Sequence, residues 1–497
     1  MALRSSARIP QRRTPALRTL SLAAAAVTAA SLAAAPAASA NVAGHGHGHG
    51  PYTPGAPGIN DPYFPLEGNG GYDVKHYGIN FSYDPATKQL DSTATITSRA
   101  TQNLSSFDLD LQQLDVSSVT VDGKKADFTR NGQELVITPK HKLKEGSYFV
   151  TAVKYGGVPK TIVGSPVVFG SPYGFVHTDD GAFMGDEPDA SSTWFPSNDH
   201  PSDKAAFTFK VTVPEGLSVM SNGRLVSQRT RNGKSTFVWD EKTPISTYLA
   251  TADVGKWIMK SGKTPGGVPM TIGVDPKLVG RDPNNPDPVK FFWDTTGEAT
   301  DLWVKTYGKW PFDSTGAIAD LATYNGQTIG FSLETATRPL YSDVRSTTTI
   351  AHELAHQYFG DSVSVRDWSN IWLNESFATW NHLWWNELHG GATVHDAVRT
   401  VYNTRPASWW DVEIGNPKHD TMFHDRVYNG GAMVLQFLRE KVGADTFNKI
   451  LRTWYAEHKN STGTTDQFNA TANRVSGQNL DAFFDKWIHS TGKPPLD

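Results

Sequence analysis

The sequence predicts an α+β, multidomain chain in which an N-terminal antiparallel β-sandwich precedes a mainly helical domain. Three observations carry that prediction. A chain of 497 residues is longer than one compact core usually organises, so it should divide into two or three domains. Apolar residues alternate with polar ones up to about residue 258, which is the period of strands, and recur every three or four residues afterwards, which is the period of helices. Hydrophobic residues make up 38% of the chain, with 15 Trp, 16 Tyr and 24 Phe to fill such cores, and 44 Gly and 30 Pro supply the turns of a β-rich protein.

Residues 1–40 have the features of an export signal. Arg4, Arg8, Arg12, Arg13 and Arg18 make a basic start without any acid, the apolar run LSLAAAAVTAASLAAA follows, and Ala38-Ser39-Ala40 offers a small-residue cleavage site. An uncleaved anchor is the weaker reading, because alanine is only mildly apolar and Pro36 interrupts the run. The pair Arg12-Arg13 leaves a twin-arginine route open, although TPAL after it is a poor match. Cleavage removes five positive charges and takes the formal net charge from −4 to about −9, so nucleic acid is not an expected partner. The chain has no cysteine, hence no disulfides and no thiolate ligands; any metal site must use His, Asp and Glu. No later apolar run is long enough to span a bilayer, so secretion without stable membrane association is expected.

Residues 41–58, NVAGHGHGHGPYTPGAPG, carry Gly, Pro and His with little to bury and read as a flexible leader, in which His45, His47 and His49 have no preformed geometry for a metal. From 59 to 258 the strand pattern dominates. In FDLDL, Phe107, Leu109 and Leu111 alternate with acids; SVTVDGKKADF reads strand, Asp-Gly turn, strand; FTFKVTVPEG alternates Phe207, Phe209, Val211 and Val213. From 259 to 497 helices are expected. Phe292, Ala299 and Trp303 follow Pro288 at helical spacing; Ile350, Leu354 and Tyr358 stand four apart and Gly360 should stop their helix; NIWLNESFATWNHLWWNELHGG ends at glycines; GGAMVLQFLREKVG and LDAFFDKWIHSTGKPP are helical again.

The chemistry concentrates in TTTIAHELAHQYFGD. Residues four apart lie one turn above each other, so His352 and His356 can both turn an imidazole nitrogen toward one ion. Glu353 is offset by about 100° and can stand beside that ion as a base without binding it. A solvated His-Glu-His surface face is the competing account. However, Ile350, Ala351, Leu354 and Ala355 make this helix half-buried, where unpaired imidazoles and a carboxylate are costly. A hydrolytic zinc usually takes three protein ligands and keeps one position open. Glu375, separated from His356 by 18 residues and set among Trp372, Leu373, Phe377 and Trp380, suits the third place on the next helix of an αα-hairpin.

HELAHQYFGDSVSVRDWSNIWLNESFATW resembles the zinc segment of the M1 aminopeptidase family, a gluzincin family with the pattern H-E-x-x-H, 18 residues, E. TWFPSNDHPSDKAAF and YGKWPFD are similar to further segments of the family, and the likeness extends from about 60 to 497. It implies the short, secreted bacterial form, with an N-terminal β-sandwich (59–258) and a thermolysin-like catalytic domain (259–497). It implies one Zn2+ per chain on His352, His356 and Glu375, with Glu353 as general base. The family's tyrosine matches Tyr428 in DRVYNGGAMVLQFL, whose hydroxyl would bond the oxyanion. The family's G-x-M-E-N motif, whose Glu binds the substrate's free amino group, is here Phe331-Ser332-Leu333-Glu334-Thr335: Glu334 stands, while Phe331, Leu333 and Thr335 depart from it. Glu187 matches a second amine-binding carboxylate. The resemblance thus implies removal of N-terminal amino acids from peptides with a free N-terminus.

Two rival readings compete with this one. A zinc endopeptidase would follow if the altered 331–335 motif no longer selects an amine, and a non-catalytic binding protein could keep the fold. The chain runs 122 residues past Glu375, where many of the family continue into a large helical domain. An open cleft that accepts longer peptides is therefore expected, and confinement to dipeptides would contradict it.

Overall fold

The period-two half of the chain forms three sheets; the structure, a computed structural model, describes residues 50–496. The largest sheet has eight strands, centred on Tyr72–Asp84, Gln89–Ala100, Tyr148–Gly157 and Ala205–Pro214. Phe207, Phe209, Val211 and Val213 are all buried, and this alternation fixes the register. Two four-stranded sheets cover it. Phe107 of Leu104–Asp110 meets Tyr72 and Phe149 with ring centroids 5.6 and 5.1 Å apart, and Phe175 of Gly174–His177 meets Tyr83 at 5.1 Å. The expected sandwich is present, but its pairing is not wholly antiparallel. Tyr72–Asp84 and Ala205–Pro214 run parallel. Side chains alternate in the same way in either direction, so residue pattern does not reveal strand sense.

Asp110, one of the acids that alternate with the apolar residues of FDLDL, is fully buried and accepts from Gly68 N–H (3.2 Å), the Asn69 amide (3.1 Å) and Asp199 N–H (2.8 Å). Residues 50–58, expected as the end of a flexible leader, are held in place. Thr53–Pro54 lies parallel to Leu104–Asp110; Thr53 N–H donates to Asn103 O (3.0 Å), Gly55 N–H to Ser106 O (2.9 Å) and the Asn103 amide to Gly50 O (3.0 Å). A sheet edge gives this segment the backbone partners that its own composition does not provide. The signal at 1–40 and the leader residues 41–49, with their histidines, lie outside the described residues.

Past Gly255 the chain leaves these sheets. Ile258–Lys263, Pro269–Val274, Thr315–Ala319, Leu340–Tyr341 and Ser332–Leu333 align in that order as a five-stranded sheet with Ser332–Leu333 at an edge. The helices are α1 (Pro288–Tyr307), α2 (Thr347–His356), α3 (Trp372–Leu388), α4 (Val394–Thr404), α5 (Gly431–Val442), α6 (Ala444–His458), α7 (Thr465–Ser476) and α8 (Asp481–Trp487). Pro288 opens α1 behind an Asp287 cap that accepts from Lys290 N–H at 3.0 Å. Ser346 caps α2. That helix ends at His356, four residues before Gly360, because the chain turns sharply: Asp361 N–H donates to His356 O and Gly360 N–H to Val363 O, both at 2.9 Å. Among the described residues no helix is long and apolar enough to cross a membrane.

One apolar core runs through both halves, and Lys204 ties them together from the strand entrance at Ala205. Its buried ammonium donates to Asp361 O (2.5 Å), Ser362 O (2.9 Å) and Ser364 Oγ (2.9 Å), all in the turn behind α2. Burial pushes its pKa down to about 7. Lys204→Met relieves that charge but leaves buried carbonyls without donors, so we expect a net loss of about 3 kcal/mol. Denaturant unfolding would check this, and an unchanged midpoint would contradict it.

Candidate active site

Helices α2 and α3 lie side by side, and residues 372–381, the first ten of α3, are buried on every face. Solvent reaches this helix only in its second half. The packing brings three ligand atoms together. His352 Nε2 and His356 Nε2 are 3.0 Å apart, and each is 3.5 Å from Glu375 Oε2. Two donors about 2.05 Å from one tetrahedral ion stand about 3.3 Å from each other, so the triangle fits zinc. Glu375 Oε2 is buried without a hydrogen-bond donor, as an anionic ligand awaiting a cation would be.

The charge balance points the same way. Burial acts to raise the Glu375 pKa, yet the two imidazoles outweigh it and hold the acid at about 2. Glu375 sits near the N-terminus of α3, where the helix dipole also favours a carboxylate. Burial alone would lower the His356 pKa; Glu334, Glu375 and Glu353 outweigh it and lift it to about 10. Positive charge at this point is thus what the surrounding acids favour, and a divalent ion would supply it.

Outer contacts orient these ligands. His356 Nδ1 donates to Phe359 O at 3.2 Å, a carbonyl supplied by the turn that stops α2. His352 Nδ1 faces His382 Nδ1 at 3.1 Å. With Nε2 of His352 left free for the ion, its Nδ1–H donates to His382. Burial first, then the neighbouring imidazoles, push His382 down to about 3, so it is the neutral acceptor this bond requires. Sequence reading missed His382; the signal was its place seven residues after Glu375, two turns along the same helix face.

The remaining expected residues converge. Glu353 is 6% exposed, and its carboxylate lies in a second cluster with Glu334 and His356, ligand atoms all within 4.8 Å of one another. Burial, then Glu334 and Glu375, raise its pKa against the pull of His356. Gln357, the residue after α2, sets the height of Glu334: its Nε2 donates to Glu334 O (3.1 Å) and its Oε1 accepts from Thr337 N–H (2.7 Å). Glu187, from the β half, reaches Glu334 and Glu375, again within 4.8 Å. Glu187 Oε1 and Glu334 Oε1 have no donor, and burial followed by their mutual repulsion raises the Glu187 pKa well above the usual range.

Tyr428 lies in a π-helical turn, Arg426–Gly430, directly before α5, with its ring nearly parallel to that of His352 and 6.3 Å away. Such turns recur at functional sites. Ser376 Oγ of α3 donates to Val427 O at 2.6 Å, so the turn is bonded to the helix that carries Glu375. Gly431 permits this approach, since a Cβ there would overlap Ser376 Oγ. Burial, then Glu375, Glu187 and Glu334, keep the phenol protonated.

Comparison with known proteins agrees with this geometry. Residues 73–249 match the model of the peptidase M1 N-terminal domain, and residues 314–487 that of the peptidase family M1 domain. A leucyl aminopeptidase of Saccharolobus solfataricus is 26% identical over 427 residues, which cover 78% of this chain and 50% of that one. Aminopeptidase M1-D of Oryza sativa subsp. japonica is 28% identical over 326 residues, 61% of this chain and 36% of the relative. The chain thus spans half or less of these relatives. The crystal structure of an M1 zinc metallopeptidase from Deinococcus radiodurans superposes with a TM-score of 0.79 at 25% identity, covering 88% of this chain and 98% of the other. Since the two family models fall on the β half and on the half that holds the His-His-Glu triangle, the chain belongs to peptidase family M1.

Proposed function

We propose that the protein is a zinc aminopeptidase, exported from the cell, that releases single amino acids from the free N-terminus of peptides. The observation that carries the aminopeptidase reading is the placement of Glu187 and Glu334. Two buried carboxylates with undonated oxygens stand beside the metal ligands, where an ammonium group would satisfy both and hold the first peptide bond over the His-His-Glu triangle. The edge strand Ser332–Leu333 has a free side on which substrate backbone can be added as a further strand.

When bound by His352, His356 and Glu375, zinc supplies Lewis-acid polarisation of the scissile carbonyl and acidifies water. Glu353 takes a proton from the attacking water as its oxygen adds to the carbonyl carbon. The Tyr428 hydroxyl donates to the oxygen on which negative charge develops. As the C–N bond breaks, Glu353 returns the proton to the leaving nitrogen. Tyr428→Phe is expected to lower kcat about a hundredfold, with KM and zinc content changed far less; steady-state kinetics with metal analysis would check it.

The same peptides with free and N-acetylated termini test the reading. Acetylation should lower kcat/KM at least about a hundredfold, because it removes the charge that Glu187 and Glu334 hold. Equal cleavage of both, or internal cleavage, would favour the endopeptidase. A two-domain M1 zinc metallopeptidase of similar structure is known in mutant forms bound to L-arginine and to L-tryptophan, which supports an amino-acid-sized site. Export rests on the pattern of residues 1–40; N-terminal sequencing of protein from the medium should begin at Asn41, and an intact Met1 would count against it.

A further inference from the structure

A cavity of about 270 Å³ is lined by Glu187 and Tyr428, and aromatic side chains form much of the rest of its wall. Phe331 comes from the edge-strand segment, Phe423 from the turn before Tyr428, and Val168 and Phe169 from a loop of the β half. Phe331, the residue that departs most in size from the family motif, does not project across the strand. Its ring rests on Gly185, where a Cβ would lie 3.0 Å from it, and packs edge-on against Phe183 with centroids 5.8 Å apart. The ring is thereby a fixed side wall.

Phe169 is the unusual member. It is 76% exposed and has a φ of +55°, a backbone conformation that a bulky residue rarely adopts. The loop closes on itself through Phe169 N–H to Pro166 O (3.2 Å) and Gly170 N–H to Ser165 O (2.8 Å). An aromatic ring is thus kept in water at the cavity mouth by a strained turn, an arrangement typical of ligand clamps. For comparison, a cavity of about 150 Å³ already accepts benzene.

We propose that this cavity takes the side chain of the substrate's first residue and selects large apolar side chains, aromatic ones above all, with Phe169 closing over the ring from the solvent side. The proposal rests on the aminopeptidase reading, because Glu187 at the cavity wall and Tyr428 beside it are what identify the occupant. Ser171 and Ser332 carry no charge to balance a charged side chain, and Glu187 is engaged by the amine.

The test is a panel of aminoacyl-coumarin amides on the zinc-loaded enzyme. Phe, Tyr and Leu amides should exceed the Ala, Arg and Glu amides at least tenfold in kcat/KM. Phe169→Ala should reduce the Phe-to-Ala ratio fivefold or more, mainly through KM for Phe, and Phe169→Tyr should restore it. Preference for Ala, Arg or Glu, or an equal loss on all substrates in Phe169→Ala, would overturn the proposal. If no amide is cleaved, the aminopeptidase reading fails by itself, and calorimetric binding of L-phenylalanine against L-alanine then judges the cavity. Tighter binding of L-phenylalanine supports the cavity assignment, and equal affinity refutes it.

Discussion

Replacing Glu353 by Gln is expected to lower kcat about a thousandfold or more while zinc stays bound at one per chain. The amide keeps the volume of the carboxylate but cannot take a proton from water, so general-base assistance disappears in full. The ligands are untouched, because the Nε2 atoms of His352 and His356 and Oε2 of Glu375 form the binding triangle without it. Turnover of a free-amine peptide and metal content of the same sample decide the matter. Activity within tenfold of the parent would remove Glu353 from the role of base, and loss of zinc would make it a ligand.

Much of this site was legible because helical spacing turns sequence distance into geometry. His352, Glu353 and His356 share one helix, and the burial of Ile350, Ala351, Leu354 and Ala355 made a functional reading the cheaper one. Glu375 followed from the length of an αα-hairpin. The strand that leads into Glu334 was less visible, since Ser332–Leu333 and Leu340–Tyr341 are two residues long, too short for any period to register. Glu187 could be proposed from the family likeness but not from spacing. Its approach to Glu334 depends on how the β half packs against the five-stranded sheet, which Phe183 and Phe331 show from the two sides. Asp110 and His382 were missed for a related reason: a buried polar residue is explained by its partners, and those lie far away in sequence or on another turn.

Packing also explains why the β half belongs to the site. It supplies Glu187 at the end of Ala182–Gly185, the wall behind Phe331, and Lys204, which braces the turn after α2. The turn in question positions Phe359 O on His356 and Gln357 on Glu334. The metal-ligand triangle and the carboxylate of Glu334 are therefore linked through one short segment held between two sheets. The second half expressed alone would keep Glu334 and lose Glu187.

Glu375→Ala should empty the metal site and bring hydrolysis down by at least about a thousandfold, because both the Lewis acid and its fixed position are lost. This variant separates two ways of holding the ion. Glu334, Glu353 and His356 also bring ligand atoms within 4.8 Å of one another, so proximity alone does not choose between the two triangles. Donor geometry does. Two imidazole Nε2 atoms, 3.0 Å apart and each 3.5 Å from Glu375 Oε2, serve the first triangle, whereas the second offers a single imidazole. His352 contributes only to the first triangle, and its bond to His382 has a purpose only there. Thermal melting with and without chelator reads the outcome independently of activity. The parent should melt lower when stripped of metal, since an ion that binds only the folded state stabilises it, and Glu375→Ala should melt alike in both conditions. Full zinc retention in that variant would transfer the metal to Glu334 and Glu353, and Glu353 could then no longer act as the base.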